Sequence, residues 1–377
     1  MVLYRKYRPQ RFAEVVGQEP VVQTLRGALK LGSVAHGYLF TGPRGSGKTT
    51  LARLLAKAVN CANLSSQSSG GDKLSIRRSF SEGGYDACGI CDSCKEIEDG
   101  RSVDLIEIDA ASNRGIDEIR ELRESARFAS MNQRHKVYII DEVHMLTKEA
   151  FNALLKTLEE PPAKVIFVLA TTEAHKVPAT VLSRVQRFDF KKITAQQIVG
   201  KLAMIAESEG IKITPEALRL LAMQSEGSLR DAESALTKLA AYHTGNIDET
   251  VLSEVLGIVP LGVTAEFVGY LLNKQTSEAT ALVNRLHESG VDLDNFTKGS
   301  LEYVRRMLVA KANPVILASF TEEMGDGQAQ QIATLAGQVD SQLVLRLTTA
   351  LLRAQQEMKT SPIPQLPLEM AIIELAQ

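Results

Sequence analysis

The chain has 377 residues, of which 44% are hydrophobic and 23% are charged, and its formal net charge is −2. A chain of this length predicts two or three domains with packed cores. The near-neutral charge excludes a protein that holds nucleic acid through the bulk charge of its whole surface, so any such contact needs a local group of lysines and arginines.

Neither the N-terminus nor the apolar runs resemble a targeting or membrane segment. Residues 1–12 are rich in Arg and Lys and lack the apolar stretch of a signal peptide. The apolar run 165–170 is far too short to span a bilayer and suits a buried strand. We therefore expect a cytoplasmic protein with no membrane partner.

The first 190 residues alternate between strand-like and helix-like stretches. Short apolar or β-branched runs occur at residues 37–41, 103–108, 137–140 and 165–169. Helix-like stretches separate them, beginning with the periodic run 50–59. This alternation predicts an α/β fold with a parallel sheet and crossover helices.

Beyond residue 194 the β-rich runs stop and helical patterns take over. Amphipathic helices are predicted at 195–210, 215–225 and 228–242, with Thr214 as a cap and Pro215 in the first turn of the second. A hinge is predicted at 258–261, and the remainder is helical, as at 343–358. We predict an α/β domain over 1–193, a small helical domain over 194–257 and an all-helical domain over 258–377.

The segment that follows the first predicted strand has the pattern of a phosphate-binding loop, Gly-x₄-Gly-Lys-Thr. Its glycines allow backbone amides to surround phosphates, and the following helix presents its positive end to them. Lys48 is expected to reach the β- and γ-phosphates of ATP, and the hydroxyl of Thr49 to ligate Mg²⁺. The predicted nucleotide-binding residues here are Gly42, Pro43, Arg44, Gly45, Ser46, Gly47, Lys48, Thr49 and Thr50.

Polar residues follow two later strands. Asp141 and Glu142 end the run 137–140, and acids after a strand are by themselves often just a solvated strand end. Downstream of a phosphate loop, they predict that Asp141 holds Mg²⁺ and that Glu142 orients the attacking water. Thr172 ends the run 167–172, where a contact to that water or to the γ-phosphate and a simple strand-end cap are equal alternatives.

The four cysteines lie close together in the sequence, and the rest of the chain has none. They are Cys61, Cys88, Cys91 and Cys94, and they form the core of a predicted zinc module over 61–94. Four thiolates complete a tetrahedral Zn²⁺ site. A disulfide framework would spread its cysteines more widely, and an iron–sulfur cluster is less favoured because nothing else here suggests electron transfer.

Taken together, the sequence resembles the gamma/tau subunits of bacterial DNA polymerase III, which are the motor subunits of the sliding-clamp loader. The resemblance covers essentially the whole chain. It is carried by the phosphate loop, the cysteines and the stretches 4–9, 16–19, 139–146, 151–162, 170–172, 183–184 and 227–232. The run Asn-Ala-Leu-Leu-Lys-Thr-Leu-Glu-Glu-Pro-Pro within 151–162 is far more specific than a phosphate loop.

The resemblance implies an AAA+ fold: a nucleotide-binding domain, a helical lid and a collar that holds a pentamer together. It implies that Arg184 is an arginine finger acting on a neighbour's ATP, and that Arg230 is a lid arginine sensing ATP in its own chain. From sequence alone, either arginine could be an ordinary surface residue. Thr172 becomes a polar sensor, with Thr171 as the alternative, and His144 is expected to be structural. Residues near the adenine and ribose would be Tyr7, Arg8, Val16 and Gly17.

The implied function is an ATP-driven motor that loads the clamp onto primed DNA. The implied partners are copies of the chain, subunits of the delta and delta-prime type, the beta clamp, and primer–template DNA held through its phosphates because a loader must accept any sequence. At the start of a predicted helix over 116–128, Arg114 and nearby amides could contact such a phosphate, and a solvated helix face is equally compatible.

Two departures from the family pattern leave questions open. The gap between Cys61 and Cys88 is long and contains a Ser/Gly-rich segment with Arg77 and Arg78, so the place of Cys61 in the zinc set is open. The sequence stops near Gln377, as expected for a gamma-like product or a shortened tau. The alternative functions are another AAA+ machine, such as a branch-migration helicase, which would lack the cysteines, and a non-enzymatic loader scaffold, which would have a degraded phosphate loop.

Overall fold

The computed structural model describes residues 2–65, 85–128, 130–316, 320–321 and 324–376. Most of the Ser/Gly-rich segment, with Arg77 and Arg78, lies outside the described residues. The chain divides into two compact units. The first comprises Met1–Thr194 with Gly227–Arg230, and the second comprises Ala195–Glu226 with Asp231–Gln377.

The first unit is built on a sheet of five parallel strands. In chain order they are β1 (Gly37–Thr41), β2 (Leu105–Asp109), β3 (Lys136–Asp141), β4 (Val165–Thr171) and β5 (Gln186–Asp189), and their order across the sheet is β2-β3-β4-β1-β5. Thr41 lies opposite Thr171, and Asp109 lies opposite Asp141. The polar carboxyl ends of the strands therefore meet at one edge, where parallel α/β sheets bind ligands.

The central strands supply two hydrophobic layers. In β3, Val137 and Ile139 enter one core, and Tyr138 and Ile140 enter the other. All seven residues of β4 are buried, and the first five alternate between the two cores in the same way. Strands buried on both faces need helices on both sides, which explains their continuous apolar sequence. The predicted α/β fold with a parallel sheet is confirmed.

The helices of this unit alternate with the strands. The α-helices are Leu3–Lys6, Glu19–Leu31, Lys48–Asn60, Ala62–Ser65, Asp92–Glu98, Ile116–Ala126, Lys148–Glu159 and Ala179–Leu182, and the 3₁₀ turns are Phe12–Glu14, Val143–Met145 and Ala174–Lys176.

A predicted strand start and a predicted helix end were wrong. The strand predicted at 103–108 begins only at Leu105, because the side chain of Asp104 turns away to accept hydrogen bonds of 2.9 Å from each backbone amide of residues 131–133. The helix predicted at 116–128 ends at Ala126, and Phe128 beyond it is 72% exposed.

The second unit is helical in every described element, as predicted. Its helices are Ala195–Glu209, Pro215–Gln224, Leu229–Tyr242, Glu249–Leu256, Leu261–Leu272, Thr276–Glu288, Leu293–Ala312, Asp326–Gln338, Ser341–Met358 and Leu366–Ala376, with a 3₁₀ turn at Pro314–Ile316. Thr214 caps the second helix by accepting a hydrogen bond from the amide of Ala217. One large core runs from Val259 to Leu375. The boundary between a lid over 194–257 and a collar over 258–377 stays a prediction.

Within the described ranges, no single helix is both long and apolar enough to cross a membrane. The pair Glu249–Leu256 and Leu261–Leu272 meets the length and composition test together, with a bend of 82° between the two helices.

Asp104→Ala should lower the stability of the first unit by about 3 kcal/mol, because three backbone amides lose a buried, charged acceptor. A thermal melt of the purified variant measures the effect. Asp117→Ala is the control, since that carboxylate is 81% exposed and its ion pair with Arg120 should contribute less than about 1 kcal/mol. Equal losses in the two variants would contradict the role given to Asp104.

Candidate nucleotide site and four-cysteine centre

The phosphate-loop sequence forms the turn between β1 and the Lys48–Asn60 helix. Gly42, Gly45 and Gly47 all have positive φ, at 147°, 73° and 96°. A Cβ on Gly42 would lie 2.5 Å from the carbonyl oxygen of Phe190, and one on Gly45 would lie 1.9 Å from Ser228 Oγ. Only glycine avoids both the backbone strain and these clashes, so the loop path requires the glycines of the motif.

Gln18 anchors this loop, a role that sequence reasoning missed. Its side chain is buried, and its amide nitrogen donates to the carbonyl oxygens of Ser46, at 3.3 Å, and Lys191, at 2.8 Å. Its amide oxygen accepts from the backbone N–H of Lys191 at 3.2 Å. Gln18 lies within the family stretch 16–19, for which the sequence predicts nucleotide contacts only at Val16 and Gly17. Gln18 ties the phosphate loop to the chain that follows β5.

Lys48 begins the helix after the loop and is buried. Its ammonium donates to the carbonyl oxygens of Gly42 and Pro43, at 2.8 Å each. Burial lowers the pKa of Lys48, and the carboxylates of Glu142 and Asp141 oppose that shift. A poorly hydrated ammonium held in a loop of backbone amides is well suited to binding phosphate oxygens.

The two residues predicted to ligate magnesium are in contact. Thr49 Oγ1 donates to Asp141 Oδ2 at 2.8 Å, and Asp141 Oδ1 accepts from the amide of Glu142 at 3.0 Å. A hydroxyl and a carboxylate next to a phosphate loop are oxygen ligands of the kind Mg²⁺ prefers. The donor set therefore fits magnesium.

Glu142 has a strained backbone, with φ 47° and ψ 45°. Its Oε2 accepts hydrogen bonds from the amide of Thr172, at 3.3 Å, and from the hydroxyl of Thr172, at 3.0 Å. Thr171 Oγ1 instead lies 2.9 Å from Nδ1 of His144. The structure thus brings Thr172, rather than Thr171, to Glu142. Left-handed backbone at a non-glycine residue costs about 1–3 kcal/mol and is concentrated at functional sites.

The N-terminal segment brings two predicted residues together. The guanidinium of Arg230 lies 5.0 Å from the ring centroid of Tyr4. Burial, followed by the nearby charge of Arg53, lowers the pKa of Arg8, and Arg230 adds to that effect. Arg230 therefore lies close enough to Arg8 to interact with it, in a group of charges that also contains Arg53 and the opposing carboxylate of Glu107.

The other residues expected near the base lie at the end of the first helix and just before the Glu19–Leu31 helix. Tyr7 ends the Leu3–Lys6 helix, and the ammonium of Lys6 lies 5.7 Å from its ring centroid. Gly17 has φ 75°, and its amide donates to Glu19 Oε1 at 3.3 Å. Val16, beside Gly17, is half-buried.

Arg184 contacts its own surface segment. Its guanidinium lies 2.7 Å from Glu159 Oε1 and donates to the carbonyl oxygen of Thr180, at 2.7 Å, and to Ser183 Oγ, at 2.9 Å. No residue of the phosphate loop is among these polar partners, and one third of the side chain is exposed. These contacts therefore do not bring Arg184 to the phosphate loop of its own chain.

The four cysteines converge on one point. Their sulfur atoms all lie within 4.8 Å of one another, and Cys61, Cys88 and Cys94 are buried. Cys61 ends the Lys48–Asn60 helix, and Cys91 caps the Asp92–Glu98 helix. Cys61 thus joins the other three despite the long sequence gap. A set of four converging sulfurs, three of them on buried cysteines, fits a structural zinc site.

Contacts within the cluster favour the thiolate form of Cys61, which is the form that binds metal. A hydrogen bond from Cys94 and backbone amides lower the pKa of Cys61 to about 4. The amide of Cys88 donates to Cys61 Sγ at 3.3 Å. Burial raises the pKa of Cys88, and the hydrogen bond with Cys61 raises that of Cys94. One thiolate is therefore favoured without metal, and a cation is needed to favour four.

Sequence comparisons decide the family. The chain matches three family descriptions in turn: "DNA polymerase III, delta subunit" over residues 17–194, "DNA polymerase III clamp loader subunit, ATPase lid domain" over 197–240, and "DNA polymerase III subunits gamma and tau domain III" over 247–377. It is 34% identical to the DNA polymerase III subunit gamma of Buchnera aphidicola subsp. Acyrthosiphon pisum, covering 99% of this chain and 98% of that one. The chain belongs to the gamma/tau family of DNA polymerase III subunits.

Other similarities differ in how much of each chain they cover. The chain is 39% identical to the DNA polymerase III subunit tau of Bacillus subtilis, in a match that covers 100% of this chain and 63% of that one. It spans between 54% and 63% of the length of the tau relatives it matches. A solved structure of a Thermotoga maritima RuvB branch migration motor covers 71% of this chain and 79% of its own, at 18% identity and a TM-score of 0.48.

Metal analysis of the purified gamma/tau chain should give about one zinc per chain. Cys61→Ser should lower zinc retention during dialysis against a chelator, because it removes the sulfur that links the cluster to the Lys48–Asn60 helix. Ser102→Ala, outside the cluster, should retain zinc like the unmodified chain. Iron in place of zinc, or full zinc retention by Cys61→Ser, would contradict the assignment.

Proposed function

We propose that this chain is an ATP-driven motor subunit of the DNA polymerase III clamp loader, which hydrolyses ATP to load the sliding clamp onto primed DNA. The supporting observation is the meeting of the phosphate loop, the Thr49–Asp141 pair and the Glu142–Thr172 pair in a gamma/tau family chain. An ATPase assay of the chain with clamp and primed DNA, with and without partner subunits, tests the function directly.

Lys48 would hold the β- and γ-phosphates. Its ammonium now contacts two carbonyl oxygens of the loop, which phosphate oxygens would replace as partners. Thr49 and Asp141 would hold magnesium, which supplies charge neutralisation on the phosphates when bound. The contact between these two side chains supports that assignment, because both oxygens already meet at one place.

Glu142 would orient and polarise the attacking water, and Thr172 would sense the state of the γ-phosphate. The support is their direct hydrogen bond of 3.0 Å between Thr172 Oγ1 and Glu142 Oε2. A change at Thr172 on binding ATP would therefore be transmitted to Glu142 without any intermediate residue. Water positioned in line with the γ-phosphate is the main requirement of this chemistry.

Arg184 would act on the ATP of a neighbouring subunit, while Arg230 would sense ATP in its own chain. The contacts of Arg184 with Glu159, Thr180 and Ser183 hold it on a surface segment, which suits a residue that works across an interface. The proximity of Arg230 to Arg8 and Tyr4 supports a role near the nucleotide. The nucleotide base and ribose would lie near Tyr7, Arg8, Val16 and Gly17.

The proposed partners are copies of this chain, subunits of the delta and delta-prime type, the beta clamp and primer–template DNA, in a cytoplasmic complex. Residues 194–257 would form the lid, and residues 258–377 the collar that holds the pentamer. The four cysteines would hold a structural zinc. At residues 112–115, Gly115 caps the Ile116–Ala126 helix, which is compatible with a contact between this helix end and a DNA phosphate.

Lys48→Ala should abolish tight ATP binding, because it removes the buried ammonium at the phosphate loop. Among the described residues, this is the only lysine that donates to carbonyl oxygens of the loop. A fluorescent ATP analogue titrated into the purified chain measures this. Lys57→Ala is the matched control: it removes a buried lysine of the same helix that pairs with Glu98 instead. Retained tight binding in Lys48→Ala would remove the phosphate-binding role.

Arg184→Ala should leave ATP binding intact and reduce DNA-stimulated ATP hydrolysis in the assembled loader by about 10³–10⁵-fold, the usual contribution of an arginine finger. Arg187→Ala is the control. Arg187 lies nearby and is paired with Asp189, and this variant should keep the turnover of the unmodified loader.

Mixed assemblies make the test specific to action between chains. Combining Arg184→Ala subunits with Lys48→Ala subunits should restore part of the activity, because some interfaces then pair an intact loop with an intact finger. Full activity of Arg184→Ala alone, or no recovery in mixed assemblies, would place the finger elsewhere.

A further inference from the structure

His144 was expected to be structural, yet its polar neighbours lie at the ends of β3 and β4 and include Glu142 of the candidate hydrolysis site. The ring is only 7% exposed. Its Nδ1 lies 2.9 Å from Thr171 Oγ1 and 3.4 Å from Glu142 Oε2. Its Nε2 lies 3.3 Å from Glu173 Oε1. A histidine that only filled the core would be expected to bond the backbone or meet apolar groups, whereas this ring faces a carboxylate oxygen at each nitrogen.

The contacts extend past the ring along the end of β4. Thr171 Oγ1 accepts from the amide of Glu173 at 3.0 Å, which orders the chain directly after the strand. The carboxylate of Glu173 pairs with the ammonium of Lys176 at 2.8 Å. His144 therefore connects Glu142, at the end of β3, to the turn that follows β4.

Glu142 needs such support because its backbone is strained. Its left-handed conformation costs about 1–3 kcal/mol and persists only where surrounding contacts enforce it. Thr172 and His144 both converge on Oε2 of its carboxylate. Thr172 gives this oxygen two hydrogen bonds, and His144 adds a third contact from a different residue, which restrains the oxygen at the end of β4.

We propose that His144 is a positioning residue for ATP hydrolysis, which holds the carboxylate of Glu142 against the end of β4 through its Nδ1 edge. The inference rests on the proposed function. It adds a residue that touches neither nucleotide nor metal and acts through Glu142. Small misplacements of a group that orients a reacting water reduce turnover by up to about 10²-fold without weakening substrate binding.

Isosteric variants separate the two edges of the ring. An asparagine places a polar atom near the position of Nδ1, and a glutamine places one near the position of Nε2. In the complete loader with clamp and primed DNA, His144→Gln and His144→Ala should lose about 10–100-fold in kcat, with the KM for ATP within about twofold. His144→Asn should keep kcat within about threefold of the unmodified protein. Full kcat in His144→Ala, or recovery by glutamine but not asparagine, overturns the proposal.

A double variant tests whether His144 acts through Glu142. In a Glu142→Gln background, adding His144→Ala should change the residual rate by less than about twofold, because the carboxylate that His144 positions is already gone. A further loss equal to that of the single variant would mean general damage and would overturn the proposal. His135→Asn is the matched histidine control, since its backbone pairs with Asn60, and it should keep full kcat.

The unmodified loader separates failure of the inference from failure of the proposed function. If the unmodified complex shows no hydrolysis stimulated by clamp and DNA, that result contradicts the proposed function and, with it, the inference. An active unmodified complex with equally active His144 variants overturns the inference alone.

Discussion

The register of the parallel sheet is the constraint on which the candidate site depends. Thr41 and Thr171 end neighbouring strands as a direct pair, and Asp109 is paired with Asp141. Because β3 and β4 are buried on both faces, a slip of one residue would exchange the side chains of two separate cores. The apolar layers therefore fix where Glu142 and Thr172 emerge, and so which atoms of the site can meet.

A single helix joins the phosphate loop to the four-cysteine centre. Lys48 stands at its first turn and Cys61 at its end. The buried ammonium of Lys57, between them, pairs with Glu98 of the cysteine segment at 2.8 Å. Asp86, just before Cys88, pairs with Arg26 at 2.9 Å and accepts a hydrogen bond from the amide of Phe12. A metal at the cysteines would thus brace the helix that presents its positive end to phosphate.

Much of the fold could be read from local patterns. The apolar runs located four of the five strands, and the stretch around Thr214 located a helix start, because strand burial and capping are encoded within a few neighbouring residues. The fifth strand, β5, was not predicted, because it is short and largely exposed and so has no apolar run. One boundary error came from distant partners. Asp104 looked like part of a β-rich run, but its carboxylate is used by amides almost thirty residues later, and no local pattern carries that information.

The site divides in the same way. The sequence by itself determined the chemical types: a loop that only glycines can form, a lysine and a threonine after it, two acids at a strand end, and four sulfur donors. Only the tertiary structure decided which groups meet: Thr172 with Glu142, Cys61 with the other cysteines, Gln18 with the phosphate loop, and His144 with two carboxylates. A motif fixes which donors and acceptors are available over a few residues, whereas their partners depend on strand register and on helix ends that packing alone brings together.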